Sequence, residues 1–191
     1  MNYSRLKSLF FRASATLQAW LEANTAARQL FDNAGNVLQR LPDISNGHNF
    51  KSFLNGQELQ HLVAAEQAGS AHAVIMRLNK NLERMTEVVN QQERLCVESW
   101  DALGSATSTA HAGAMLGACV SPAQMIEAME DVWNMCRSEL CLKLALAYEL
   151  TNSLSFSVYE ESQGLFHSSI HVDETSASYL LLKRSTQRCP S

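Results

Sequence analysis

Residues 6–42 read LKSLFFRASATLQAWLEANTAARQLFDNAGNVLQRLP, and the reading of this stretch decides the fold. Apolar or small residues recur in alternating steps of four and three: Leu6, Phe10, Ala13, Leu17, Trp20, then Ala27, Phe31, Ala34, Leu38 and Leu41. A sustained 3.5-residue repeat is the pattern of a long helix packed as a coiled coil. The one polar residue in this register is Asn24. Such a residue either sets register and partner choice or sits at a wet edge of the seam, and the pattern leaves both open. A helix over residues 5–40 would be about 54 Å long. Gly35 weakens its last turns, and Pro42 ends it.

Downstream, residues 42–57 read as a loop, with turn signals at Asn46-Gly47 and Asn55-Gly56. A second long helix is expected over 58–103. Its seam runs Ala64, Ala68, Ala71, Ile75, Leu78, Leu82, Met85, Val89, Gln92, Cys96, Ser99 and Leu103. Val88, Leu95 and Trp100 widen the apolar band. Gln92 and Ser99 dilute it, which suggests that this end faces a loop or another subunit. Residues 104–120 are rich in Ala, Gly, Ser and Thr and read as a flexible linker. A third helix opens with strong start signals: Ser121 as N-cap, Pro122 in the first turn, and Gln124 to complete a capping box. It runs to about residue 151. Met125, Ile126, Met129, Trp133, Cys136, Leu140, Leu144 and Ala147 form one stripe, and Leu142, Leu146 and Leu150 a second. An apolar surface this broad calls for burial on two sides. The tail, 152–191, reads two ways. Leu154, Phe156 and Val158 alternate like a strand, whereas Leu154, Val158 and Leu165 line one face of a helix. Asp173 is a candidate cap for a short helix carrying Tyr179 to Leu182.

The fold expected is therefore all-α: an elongated bundle of three long coiled-coil-like helices (4–41, 58–103 and 121–151) with a small helical tail, in one domain over 1–191. The 46% hydrophobic share of its 191 residues supports a real core. Three prolines and eight glycines leave room for long helices. A formal net charge of -4 without a run of Lys and Arg argues against direct nucleic-acid binding. Basic groups prevail at the start (Arg5, Lys7, Arg12, Arg28, Arg40) and acidic groups in the third helix (Glu127, Glu130, Asp131, Glu139, Glu149), which weakly favours docking of the two segments. No apolar run is long enough to span a membrane, and no secretory signal is evident. The first 21 residues contain Arg5, Lys7 and Arg12 but no acid, as a mitochondrial presequence does. The helical repeat runs through them unbroken, which favours an ordinary helix start.

Little in the chain points to chemistry. Gly-x-Ser-x-Gly, His-Glu-x-x-His and Gly-rich phosphate fingerprints are all missing from the sequence. The five cysteines, 96, 119, 136, 141 and 189, include no Cys-x-x-Cys. Cys96, Cys136 and Cys141 fall on apolar faces and read as reduced core residues. His167 and His171, four apart, would share a face of a helix, but no third ligand follows at a metal-binding spacing. Met125, Met129 and Met135 read as core packing before an adaptable binding surface. No cofactor, metal or catalytic residue is expected. Glu139 and Lys143 are expected to form an exposed i,i+4 pair contributing ~0.3 kcal/mol.

The segment from Ser121 to Leu150 resembles the cyclin-dependent kinase 2-interacting protein family. Its core pattern, Arg-x-Glu-Leu-x-Leu-Lys with a later Glu-Leu, is matched by Arg137, Glu139, Leu140, Leu142, Lys143, Glu149 and Leu150. A Trp-bearing first helix (Trp20), a Leu-spaced middle helix (Leu78, Leu82, Met85) and an acidic-then-leucine tail (Asp173, Glu174, then Leu180 to Leu182) follow the same order. The opening Val120-Ser121-Pro122 is similar to that of a sister family, the ribosome-maturation adaptor of the same AAA ATPase assembly. The resemblance implies a non-enzymatic helical adaptor. Its implied partners are the sister adaptor and a type II AAA ATPase, in 60S ribosome maturation and replication, with links to cyclin-dependent kinase, in nucleus and cytoplasm. The partner-binding residues expected on the third helix are Trp133, Arg137, Glu139, Leu140, Leu142, Lys143, Leu146 and Leu150. Two rivals stand beside this reading: a structural or assembly subunit of a large mitochondrial or ribosomal complex, and a small helical enzyme or metal carrier.

Overall fold

The seam that begins at Leu6 becomes helix α1, Tyr3–Leu38. The computed structural model describes residues 3–104 and 121–172. Along α1, Leu6, Phe10, Ala13, Leu17, Trp20, Ala27, Phe31, Ala34 and Leu38 are all buried. Leu41 is not part of this seam. It starts a short second helix, α2, Leu41–Ser45, with Pro42 in its first turn, where a missing N–H costs nothing. A single 3-10 turn follows at Gly47–Phe50, so part of the expected loop is helical.

Helix α3 spans Gly56–Gly104 and α4 spans Pro122–Ser153. The capping box forms as the residues suggest: the Ser121 N–H donates to Gln124 Oε1 at 3.0 Å, and the Gln124 N–H donates to Ser121 Oγ at 3.3 Å. The next helix, α5, covers Phe156–Ser168, so Phe156, Val158 and Leu165 are helical, while Leu154, expected on the same face, lies outside it. Strands are absent among the described residues. The linker expected at 104–120 and the tail helix around Tyr179 lie outside the described residues, apart from Gly104.

The chain divides into two units. The first comprises Met1–Ala23, Arg84–Cys141 and Ile170–Ser191, and the second Asn24–Glu83 and Leu142–Ser169. In the first unit, α3 and α4 run antiparallel. Gln92 Nε2 reaches Cys136 Sγ at 3.8 Å, and the Ser99 hydroxyl reaches Met129 Sδ at 3.7 Å. Gln92 and Ser99 are 3% and 0% exposed, so the diluted end of the seam is closed by α4. Ser99 can be buried because its hydroxyl also donates to the Leu95 carbonyl at 2.7 Å. The basic start of the chain finds its acid on α3: Arg12 pairs with Glu98 at 3.4 Å. Both side chains are half-exposed, so the pair contributes no more than about 1 kcal/mol.

In the second unit, α5 lies antiparallel along α1. Phe31 stacks on Phe166 with ring centroids 4.0 Å apart, and Tyr159 closes the cluster at 5.4 Å from Phe31. The Asp32 carboxylate accepts from the Tyr159 hydroxyl at 3.2 Å and pairs with His167 Nε2 at 2.9 Å. Asn24 is 5% exposed and donates to Ser169 Oγ at 3.4 Å. It does not sit at a wet edge. Gly35 has a positive role here: a methyl group at its position would overlap the Tyr159 ring. Gly35→Ala is therefore expected to destabilise by about 1–3 kcal/mol through overpacking. In a Tyr159→Ala background the same change is expected to stabilise by about 1 kcal/mol, because alanine is the better helix former. Urea unfolding of the four proteins checks this reversal of sign. An equal effect in both backgrounds would show that the ring is not what requires the glycine.

Candidate protein-binding surface

The expected partner-binding residues do not share one exposed face. Glu139 and Lys143 are completely buried, and Leu140, Leu146 and Leu150 are buried as well. Leu142 is partly covered. Both residues of the expected Glu139–Lys143 pair are thus interior, not solvated. Helix α5 is the reason for the second. Lys143 Nζ donates to the carbonyl of Phe166 and lies 4.4 Å from the centroid of its ring. A cation in the interior needs such partners. Glu139 Oε2 accepts from the His171 N–H at 3.3 Å. Leu144, expected in the apolar stripe, is 41% exposed instead, because Lys143 holds the inward position beside it.

Trp133 and Arg137 remain at the surface. Trp133 is partly buried and Arg137 exposed, with its guanidinium carbon 5.5 Å from the centroid of the Trp133 ring. Trp100, expected to widen the core band of α3, also points outward. It is half-exposed, and its indole N–H donates to Glu130 Oε1 at 2.6 Å. Glu130, Trp133 and Arg137 follow at steps of three and four along α4 and share a face. The hydrogen bond to Glu130 brings Trp100 to that same face. Val97, one turn before Trp100, is also exposed. The first unit thus presents two tryptophans, a valine and an arginine together. Tryptophan and arginine are the residue types that anchor protein interfaces most often. Sequence pattern alone misses Val97 and Trp100 as surface residues. The available signal is that each follows a buried seam position, Cys96 and Ser99, by one residue.

Among the described residues, the two buried cysteines are Cys96 and Cys136. Burial raises Cys96 to about 11, helped by the charges of Glu130 and Glu93. Burial raises Cys136 to about 12, opposed by the Gln92 hydrogen bond and helped by Glu139. Thiols this weakly acidic are poor nucleophiles at neutral pH. Cys141, expected in the core, is exposed. His167 and His171 do not share a helical face, since α5 ends at Ser168 and Ser169 turns into the left-handed region. No group of three His, Cys, Asp or Glu suited to a metal occurs among the described residues. No helix among them is long and apolar enough to cross a membrane.

No curated protein matches the chain. Residues 3–183 match the family described as ribosome biogenesis protein C1orf109-like. That match takes in α1 to α5 and the surface built around Trp100, Trp133 and Arg137. The matched family is one of ribosome biogenesis, in line with the resemblance to a ribosome-maturation adaptor, and it does not carry the kinase-interacting name. Covering nearly the whole length, it shows that the chain belongs to the C1orf109-like family of ribosome biogenesis proteins.

Proposed function

We propose that this chain is a non-catalytic adaptor of a ribosome biogenesis assembly, holding partner proteins through the Trp100–Trp133–Arg137 surface. The observation that carries the reading is that surface itself. Large aromatic residues are normally placed inside, yet Trp100 is half-exposed while the seam residues around it are closed off. The interior acids, base and thiols support a structural use over a chemical one: Lys143 is engaged by Phe166, and the Cys96 and Cys136 thiols are held protonated. By its family resemblance the partners are a helical sister adaptor and a type II AAA ATPase acting in 60S maturation. The same resemblance extends the proposal to replication and cyclin-dependent kinase, and places the protein in nucleus and cytoplasm.

The test is affinity capture from cells with the tagged full chain, quantified by mass spectrometry. Trp100→Ala, Trp133→Ala and Arg137→Ala are each compared with the unaltered protein. Anchor residues of this kind cost at least about 2 kcal/mol when truncated, or roughly thirtyfold in affinity. Recovery of the AAA ATPase and the sister adaptor is expected to fall accordingly, with the helical circular dichroism signal preserved. Undiminished recovery with all three variants would remove this surface from the proposal.

A further inference from the structure

Among the described residues, the only non-glycine residues with a left-handed backbone are Leu154, at φ 47°, and Ser169, at φ 44°. They bracket α5. A branched, bulky residue in this region is strained, because its Cβ crowds the following carbonyl. Leu154 is also 48% exposed, so burial does not hold it there. Only Leu154 and Ser155 separate α4 from α5. On either side of this joint the hydrogen bonding is already helical: the Leu154 N–H reaches the Leu150 carbonyl at 3.0 Å, and the Tyr159 N–H reaches the Ser155 carbonyl at 3.2 Å. Rotating these two residues into the α region would merge α4 and α5 into one helix over 122–168.

What holds α5 down is equally specific. Phe166 stacks on Phe31, its carbonyl takes the Lys143 ammonium, and Asp32 takes Tyr159 and His167. An identical groove exists on every copy of the chain. We propose that α5 is exchanged between two copies of this protein. In the exchanged pair each joint is straight, and the α5 of one copy fills the Phe31–Lys143 groove of the other. The contacts of α5 with this groove are made again and the strain at Leu154 is released. Short strained hinges favour this kind of swap. The straight helix also aligns Leu154, Val158 and Leu165 on one face, at steps of four and seven. Leu154 and Leu165 are both exposed in the closed chain, and two such faces can meet where the straightened helices cross.

The test refolds the full chain from urea at low and at high protein concentration and measures mass by light scattering after size exclusion. The unaltered protein is expected to form, at high concentration, a dimer that dissociates slowly on dilution. Leu154→Gly suits the closed joint and disfavours a continuous helix, whereas Leu154→Ala has the opposite preference. The dimer fraction is expected to be at least about tenfold lower for the glycine than for the alanine variant. Monomers at every concentration for both the unaltered protein and Leu154→Ala would overturn the proposal. So would a dimer equally abundant in the two variants, which would place the association on another face.

Discussion

Leu140→Asp is expected to abolish the cooperative unfolding transition of the protein. Leu140 is 5% exposed and belongs to the first unit. Deleting a buried leucine side chain costs about 2–5 kcal/mol, and an unpaired carboxylate in its place adds a desolvation penalty. The sum, about 4 kcal/mol or more, is comparable with the whole stability of a small domain. Leu142→Asp, at a partly covered position, is expected to be milder. Arg137→Ala, at an exposed one, is expected to change stability by less than about 0.5 kcal/mol. Urea titration followed by circular dichroism orders the three. The consequence reaches function: lost partner capture in Leu140→Asp would report a lost fold, not a lost contact. An unaltered midpoint for Leu140→Asp would contradict the packing described above.

The second large effect is expected at Phe31→Ala, about 3–5 kcal/mol. Phe31 is 0% exposed and makes both ring contacts that bind α5 to α1, with Phe166 at 4.0 Å and Tyr159 at 5.4 Å. Removing it leaves a cavity under α5 and loosens the setting of the Lys143 ammonium on the Phe166 carbonyl. The loss should therefore couple to Phe166→Ala. A double-mutant cycle is expected to return about 0.5–1.5 kcal/mol of interaction, the range for aromatic pairs. Hydrogen exchange adds a local readout, with the amides of α5 losing protection before those of α3. Additive effects, or uniform loss of protection, would mean that α5 does not depend on this stack.

Helix α5 is where the sequence reading and the structure part. Lys143 and Glu139 read as a solvated pair because their spacing suits a helix surface, and nothing local says that an element more than twenty residues away covers one of them. Leu144 read as core because it fits an apolar stripe, yet the adjacent lysine takes the inward place. Trp100 read as a widening of the core and instead belongs to the surface proposed for partner binding. Of the partner-binding residues expected on the third helix, only Trp133 and Arg137 lie on that surface. The pattern around them, Arg137 through Leu150, is mostly interior packing, and amphipathic helices share such patterns across unrelated functions.

The heptad steps from Leu6 to Leu38, the α3 seam from Ala71 to Ser99 and the Ser121–Gln124 capping box were legible because each rests on neighbours within one or two turns, whereas Ala68, expected in the seam, is exposed and Ala64 and Leu103 are only partly covered. Local spacing and local hydrogen bonding are enough to set a helix, its start and its greasy face. The order of residues therefore determined an all-helical chain and the inward residues of its first helix. Which charges go inside, why Gly35 must be small and which tryptophan faces out were decided only by tertiary packing. Those outcomes depend on Phe166, Tyr159 and Glu130 arriving from distant parts of the chain. The physical reason is that the cost of burying a charge or exposing a ring is set by the partner that meets it, and a one-dimensional pattern does not name that partner.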